Sequence, residues 1–145
     1  MEKRLNYSNG RLCVKDYNRI SSDQEFIRVV TEKPIKAVYL SDNFIRNESG
    51  RTLIHGLRDL PIHTLYLGGN NLSGLTWNAL AETIREGGYK DLKKLSVDSN
   101  DSTGDWGFID LVQVITASGN LTLVNFSELN ITNIGMKHFA QSCMY

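Results

Sequence analysis

The chain has 145 residues, of which 41% are hydrophobic and 22% are charged, and this composition is typical of a single globular domain spanning residues 1–145. Its 16 lysines and arginines are balanced by 16 aspartates and glutamates, and this balance argues against a basic surface for nucleic acid. No apolar run approaches the roughly 18 residues of a membrane span, and the first ten residues, MEKRLNYSNG, lack the apolar centre of a signal peptide, so we expect a cytoplasmic protein, or one delivered to a host cytosol, with no membrane contact.

Residues 1–34 are predicted to form an amino-terminal cap made of a hairpin and a helix. Apolar residues alternate with polar ones on both sides of Asn9-Gly10, a favoured hairpin turn, at Leu5, Tyr7, Leu12 and Val14. Ser22 and Glu25 then have the spacing of a helix capping box, and Pro34 ends the helix. Alternatively, the second arm of the hairpin belongs to a degenerate first repeat, whose strand lies beside the strand that begins at residue 35.

Four segments of the remaining chain repeat one pattern. They begin at residues 35 (IKAVYLSDNFI), 62 (IHTLYLGGNNL), 92 (LKKLSVDSNDS) and 121 (LTLVNFSELNI), at intervals of 27, 30 and 29 residues. Each has apolar residues at its first, fourth and sixth positions, and the first three have Asn at the ninth, which is the leucine-rich repeat pattern. Alternate side chains of a strand point to opposite faces, so the fourth and sixth positions should share one core. These positions hold Val38, Leu40, Leu65, Leu67, Leu95, Val97, Val124 and Phe126.

Asn43, Asn70 and Asn100 occupy the ninth positions, where the chain turns out of each predicted strand. A buried turn leaves backbone groups without partners, and a side-chain amide can both donate and accept hydrogen bonds. We therefore expect a structural ladder of asparagines. The fourth repeat has Leu129 at this position and Asn130 one place later, so the ladder should end or shift there.

A helix is predicted after each strand, because apolar residues recur at three- and four-residue spacing. Expected helix starts are Asn47 or Ser49, Thr76, Asp105, and Thr132 or Asn133, and expected helix ends are marked by Gly87, Gly88 and Gly119.

A strand plus a full helix in 27 to 30 residues resembles the ribonuclease-inhibitor-like subclass of leucine-rich repeats, over about residues 35 to 142. The resemblance implies an α/β fold: a right-handed solenoid with a parallel sheet on its concave side and helices on its convex side. Members of the family include GTPase-activating proteins of the nuclear-transport cycle, tropomodulin-like actin caps and the sensor domains of nucleotide-binding immune receptors. The resemblance therefore implies that the chain binds a protein partner, but it does not identify that partner.

The predicted binding surface is the concave face of the sheet, formed by the third, fifth and seventh positions of each repeat. This grid comprises Ala37, Tyr39, Ser41, Thr64, Tyr66, Gly68, Lys94, Ser96, Asp98, Leu123, Asn125 and Ser127. Tyr39 and Tyr66 should lie side by side, and aromatic side chains with a polar tip are enriched at binding hot spots. The alternative is a purely structural role, in which the two neighbouring rings only cover each other on the sheet surface. Asp42, Asp98 and Glu128 lie towards the loop end of the strands, with Lys36, Lys93 and Lys94 towards the start, which predicts a dipolar surface.

We predict no enzymatic activity, no cofactor and no metal. The three histidines, His55, His63 and His138, are far apart and lack a second ligand at metal-binding spacing. Lys94, Ser96 and Asp98 alternate along one strand, but residues two apart on a strand have their roots about 6.5 to 7 Å apart, so a solvated polar face is the favoured interpretation over a nucleophile and its base.

The carboxyl-terminal end suggests further possibilities. Its last predicted strand, LTLVNF at residues 121–126, is uncharged, and an edge of this kind pairs readily with another chain. A homodimer through this repeat and a fragment of a longer solenoid, such as a sensor or effector, are alternatives, as is a monomer in which Cys143 to Tyr145 fold back over the edge. A regulator of an enzyme, such as a GTPase activator, is the other functional alternative.

Cys13 and Cys143 lie at opposite ends of the predicted stack and should be free thiols.

Overall fold

The computed structural model describes residues 1–142, which form a mixed α/β fold built on one sheet. Six strands are present in this part of the chain, and they lie in the sheet in sequence order. The strands are β1 (Leu5–Ser8), β2 (Arg11–Val14), β3 (Ala37–Tyr39), β4 (Thr64–Tyr66), β5 (Lys94–Ser96) and β6 (Leu123–Asn125). Strand β1 is antiparallel to β2, and every other neighbouring pair is parallel. The repeats that begin near residues 35, 62, 92 and 121 therefore lie side by side in the same direction, as predicted.

The amino-terminal segment satisfies both interpretations of its sequence. Asn9 and Gly10 have φ angles of 52° and 79° and join β1 to β2, as the two-residue hairpin turn requires. Strand β2 also pairs in parallel with β3, with Leu12 opposite Val38. Leu12 thus occupies the fourth position of a degenerate first repeat, and the hairpin covers the edge of that repeat.

Among the described residues, five α-helices alternate with the strands. They are α1 (Asp23–Thr31), α2 (Asn47–Gly56), α3 (Gly74–Arg85), α4 (Gly104–Ala117) and α5 (Asn133–Ser142). The predicted cap of α1 is confirmed, because the Ser22 hydroxyl accepts a hydrogen bond from the Glu25 N–H at 3.3 Å. Two predicted starts are wrong by one or two residues: α3 begins at Gly74 rather than Thr76, and α4 begins at Gly104 rather than Asp105. Thr76 is instead a fully buried residue of the first turn of α3.

The core lies between the sheet and the helices, as the repeat pattern predicts. Leu65 of β4, Leu53 of α2 and Leu40, which directly follows β3, line one small internal space. The fourth and sixth positions of the first three repeats are all buried, with exposures of at most 3%. In the last repeat Val124 and Phe126 are only half-buried, because β6 is the final strand of the described sheet and has a neighbour on one side only.

Asn43, Asn70 and Asn100 form a ladder of hydrogen bonds along the turns. Each of the three amides bonds its own turn and the turn of the preceding repeat; the Asn100 Nδ2, for example, donates to the carbonyls of Val97 and Leu67 at 2.7 and 3.1 Å. The Asn43 Oδ1 accepts from the Tyr17 N–H at 2.9 Å, which extends the ladder to the degenerate first repeat. The ladder ends where the sequence predicts, because Leu129 is buried and Asn130 is exposed with a φ of 61°.

Two further expectations concern membrane contact and the two cysteines. Within residues 1–142, no helix is both long enough and apolar enough to cross a membrane. Cys13 is exposed and free. The expected thiol of Cys143 and the expected fold-back of Cys143 to Tyr145 lie outside the described residues.

Candidate functional site

The face of the sheet that points away from the core carries the predicted binding residues. We call it the open face, and strand register arranges it in two main rows. One row contains Arg11, Ala37, Thr64, Lys94 and Leu123, and the other contains Cys13, Tyr39, Tyr66, Ser96 and Asn125. Each residue therefore faces its counterpart in the next repeat, which places side chains 26 to 30 positions apart in direct contact range.

Tyr39 and Tyr66 form the centre of the open face. Their ring centroids are 4.9 Å apart and their planes meet at 88°, the edge-to-face arrangement that aromatic pairs favour. The Arg11 guanidinium lies 5.1 Å from the centroid of the Tyr39 ring, and its Nη2 donates to the Tyr39 hydroxyl at 3.4 Å. Both tyrosines are half-buried, so their neighbours restrict the rings while part of each remains accessible.

Hydrogen bonds join the acidic residues at the loop end of β5 and β6. The Ser96 hydroxyl donates to Asp98 Oδ1 at 2.7 Å, and the Ser99 hydroxyl donates to Glu128 Oε2 at 2.8 Å. Ser99 also lies 3.5 Å from Asp98 Oδ2. Asp98 and Glu128 are therefore linked through Ser99 into one acidic edge. The sequence predicted that both acids lie at the loop end of the strands, but not the hydrogen bonds that link them.

Asp42 and Asp98 both lie against the double glycine that follows β4. A Cβ atom added at Gly69 would overlap the carboxylate of Asp42, and one added at Gly68 would overlap the carboxylate of Asp98. Gly69 also has a φ of +65°, a conformation that glycine adopts without strain. The two glycines thus allow the acidic side chains of the neighbouring repeats to approach the strand end.

The charges of the open face are not neutralised internally. Three ion pairs are found among residues 1–142, and all of them join residues of the helices and the segments that follow them, outside the open face. Arg11 and Lys94 are exposed at the start of their strands, and Asp42 and Glu128 are exposed at the loop end. Exposed charges of opposite sign therefore lie at the two ends of the open face.

Two predictions about the grid need correction. Ser96 is not an accessible binding residue, since it is only 8% exposed and its hydroxyl bonds to Asp98; Ala37 and Thr64 are buried as well, at 2% and 4%. The Ser96 and Asp98 side chains are also in contact, although their roots were predicted to lie about 6.5 to 7 Å apart. Strand β5 ends at Ser96, so Asp98 lies beyond the regular strand, and its Oδ1 accepts a hydrogen bond from the Ser96 hydroxyl at 2.7 Å.

Leu123 and Asn125 are exposed on the open face, as expected. Two further members of this face, Arg11 and Cys13, are absent from the predicted site. A signal for them exists in the sequence: if Leu12 and Val14 are taken as the fourth and sixth positions of a degenerate repeat, Arg11 and Cys13 fall at its third and fifth positions. The open face therefore extends one strand further than the grid predicted from the four clear repeats.

The histidines contact threonines. The Nδ1 atoms of His55 and His63 lie 3.3 and 2.8 Å from the hydroxyls of Thr83 and Thr64. Within residues 1–142, no group of three histidine, cysteine, aspartate or glutamate side chains is placed to hold a metal ion.

The sequence matches no protein-family model and no curated protein. Its fold is similar to that of two solved structures. The structure of leiomodin-1 actin-binding site 2 aligns with a TM-score of 0.66 and 12% sequence identity, covering 93% of this chain and 85% of that one. The tropomodulin C-terminal domain of Caenorhabditis elegans aligns with a TM-score of 0.65 and 15% identity, covering 92% and 81%. At these identities the similarity concerns the fold, a leucine-rich-repeat-like α/β arrangement.

Proposed function

We propose that the protein is a protein–protein interaction module that binds its partner through the open face of the sheet. The observation that carries this proposal is the Tyr39–Tyr66 pair, which is held edge to face and flanked by Arg11. Tyrosine and arginine are enriched among the residues that dominate binding energies. Rings already restricted by their neighbours lose little conformational freedom on binding, so a partner gains most of the contact energy.

The charges around the tyrosines support the same function. Arg11 and Lys94 at the strand starts and Asp42, Asp98 and Glu128 at the loop end favour a partner whose charges run in the opposite order. Such an arrangement orients the partner and raises the association rate at low salt. Lys94, Leu123 and Asn125 extend the proposed site towards β6.

The proposal includes the overall arrangement of the repeats. We infer that the repeats form a curved, right-handed solenoid of the ribonuclease-inhibitor-like subclass, with the open face as its concave side. The protein is then a cytoplasmic binding module without enzymatic activity. Support comes from the parallel strands in sequence order, each followed by a helix. Further support comes from the fold shared with the leiomodin-1 and tropomodulin domains.

Actin is the first partner to test, because the leiomodin-1 domain with the same fold is described as an actin-binding site. The test is co-sedimentation with actin filaments and pull-down of monomeric actin, together with affinity capture from lysate followed by mass spectrometry. The wild type is compared with a Tyr39→Ala/Tyr66→Ala double variant. Phe44→Ala is a matched control, since Phe44 is an aromatic residue with 77% exposure that lies in the turn after β3.

The double variant should retain its circular dichroism spectrum and lose its partner. A truncated hot-spot residue costs about 2 kcal/mol or more, so each tyrosine should lower the affinity about thirtyfold. The Phe44→Ala variant should bind like the wild type. If the double variant captures every partner as well as the wild type does, the open face is not the binding surface.

Self-association is the second candidate, and the exposed end of the sheet favours it. Strand β6 has a paired neighbour only on its β5 side within residues 1–142. Leu123 of β6 and Ile134 and Met136 of the following helix α5 are 46%, 66% and 45% exposed. A homodimer through this repeat would appear in light scattering as a doubled mass that Leu123→Lys restores to the monomer value, since a lysine on an edge strand opposes pairing. A monomer at high concentration rules this candidate out.

A further inference from the structure

The two tryptophans of the chain lie in opposite environments. Trp77 is fully buried, and its indole N–H donates to the Thr103 hydroxyl at 3.1 Å. Trp106 is 79% exposed, so it contributes little to the core. Burying such a ring in a partner would remove a large apolar area from water, which makes the surroundings of Trp106 a place to look for a ligand.

Trp106 lines a groove of about 670 Å³ between the first turns of α3 and α4. Leu75 lines the same groove from α3 and is 60% exposed. The floor is backbone, because Gly107 approaches Gly74 so closely that a Cβ on Gly107 would lie 3.0 Å from the Gly74 nitrogen. The groove therefore has a backbone floor, with one large apolar side chain on each side.

A carboxylate lies next to the indole. Asp110 also lines the groove and follows Trp106 by four residues on α4, so the two side chains share one side of the helix. The Asp110 carboxylate lies against Gly74 and has no hydrogen-bond or ion-pair partner among residues 1–142. Partial burial raises its pKa above the ordinary value, in line with the absence of a cationic partner in the described part of the chain.

The segment that contributes the α4 side of the groove is acidic. From Leu95 to Met136 the sequence contains five acidic residues and no lysine, arginine or histidine. Two helix amino termini add about half a positive charge each, and this is less than the two negative charges of Asp105 and Asp110. The Asp105 carboxylate is already engaged, because it accepts hydrogen bonds from Thr132 and Gly135. Asp110 is the acid that remains for a ligand.

We propose that this groove binds a basic segment of a partner protein, with an arginine side chain stacked on Trp106 and paired with Asp110, and with a neighbouring apolar residue against Leu75. A guanidinium fits better than an ammonium, because it is planar, stacks on aromatic rings and pairs with a carboxylate through two N–H groups. The groove is separate from the open face, so the proposal does not depend on the function proposed for the tyrosines.

The exposed indole supplies the assay. The probe is a blocked Leu-Arg-Leu-Arg peptide without aromatic residues, titrated against the intact protein while tryptophan emission and iodide quenching are recorded. Iodide should quench Trp106 and leave Trp77 unaffected. Binding should change the Trp106 emission saturably and protect it from iodide. Control peptides carry citrulline, a neutral isostere of arginine, or glutamate in place of both arginines, and neither should bind.

Variants separate a specific site from general attraction to an acidic protein. Asp110→Asn should weaken binding about tenfold, as expected for a charge-assisted hydrogen bond, whereas Asp101→Asn, an exposed acid outside the groove, should have little effect. Leu75→Ala should also weaken it, and Tyr39→Ala/Tyr66→Ala should not. Equal binding of the arginine and citrulline peptides, equal effects of Asp110→Asn and Asp101→Asn, or no saturable signal at millimolar peptide would overturn the proposal. The iodide-inaccessible emission of Trp77 reports that each variant is folded.

Discussion

Replacing Asn70 with alanine should lower the stability of the whole domain, because this one side chain satisfies backbone groups in two consecutive repeats. Its Oδ1 accepts hydrogen bonds from the backbone N–H groups of Asn43 and Ile45, both at 3.0 Å. Its Nδ2 donates to three carbonyls, those of Leu40, Leu67 and Gly68, at 3.0, 3.0 and 3.3 Å. Asn70 is only 6% exposed, so water cannot replace these bonds without opening the turn.

The expected loss follows from the groups left without a partner. Each buried donor that loses its acceptor costs about 1–3 kcal/mol, and alanine leaves two such donors. We therefore expect the free energy of unfolding to fall by about 4 kcal/mol, a large part of the roughly 5–15 kcal/mol that stabilises a typical domain. For a chain of this size the melting temperature should fall by about 10 °C.

Urea unfolding followed by circular dichroism measures this loss. Asn78→Ala is the matched control, because Asn78 is exposed on α3 and makes one long hydrogen bond, to Glu82 at 3.4 Å. Alanine has a better helix propensity than asparagine, so this variant should be neutral or slightly more stable. A loss of less than about 1 kcal/mol for Asn70→Ala would refute the structural role of the ladder.

Two further predictions concern a backbone position and the pH dependence. Gly69→Ala should destabilise the fold by more than about 1–2 kcal/mol, because Gly69 has a positive φ and its Cβ would overlap Asp42, whereas Gly119→Ala, with no described atom within 4 Å, should stay within about 0.5 kcal/mol of the wild type; similar urea midpoints for both variants would contradict this. Burial raises the pKa of the Tyr17 and Tyr89 phenols well above 10, so the unfolded chain loses these protons first and stability should fall as the pH rises above about 10. Removing the Tyr89 hydroxyl, which donates to a backbone carbonyl at 2.6 Å, should cost about 1–2 kcal/mol at pH 9, and the gap between wild type and Tyr89→Phe should narrow by up to about 1.4 kcal/mol per pH unit above pH 10; a constant gap would show that this phenol ionises equally in both states.

Much of the fold is predictable because its determinants are local. The fourth and sixth positions of each repeat predict the core, and a ninth-position asparagine predicts the ladder, since one amide is enough to satisfy a turn. The Asn9-Gly10 hairpin is predictable for the same reason. The predicted helix starts are less accurate. Ser73 precedes α3 without making a side-chain cap bond. Thr76 is of a residue type that often caps helices, but it lies buried inside the first turn of α3.

The candidate site is predictable only in part. The repeat register correctly pairs Tyr39 with Tyr66, but it assigns Ser96 to an accessible surface. That assignment is wrong because Ser96 is buried and its hydroxyl donates to Asp98, and a pattern of alternating residues carries no information about such contacts. Arg11 is missing from the predicted site because the grid was built from the four clear repeats only, although the degenerate first repeat would place Arg11 at its third position.

The amino-acid sequence by itself determined the repeat length, the buried positions, the asparagine turns and the hairpin, since each follows from the geometry of a few neighbouring residues. The tertiary structure alone decided which outward-facing side chains remain accessible and which of them touch. The edge-to-face tyrosines and the groove that contains Leu75, Trp106 and Asp110 join residues from different repeats. Their contacts depend on how closely adjacent strands and helices approach, and that spacing is set by packing between neighbouring repeats rather than by any one segment.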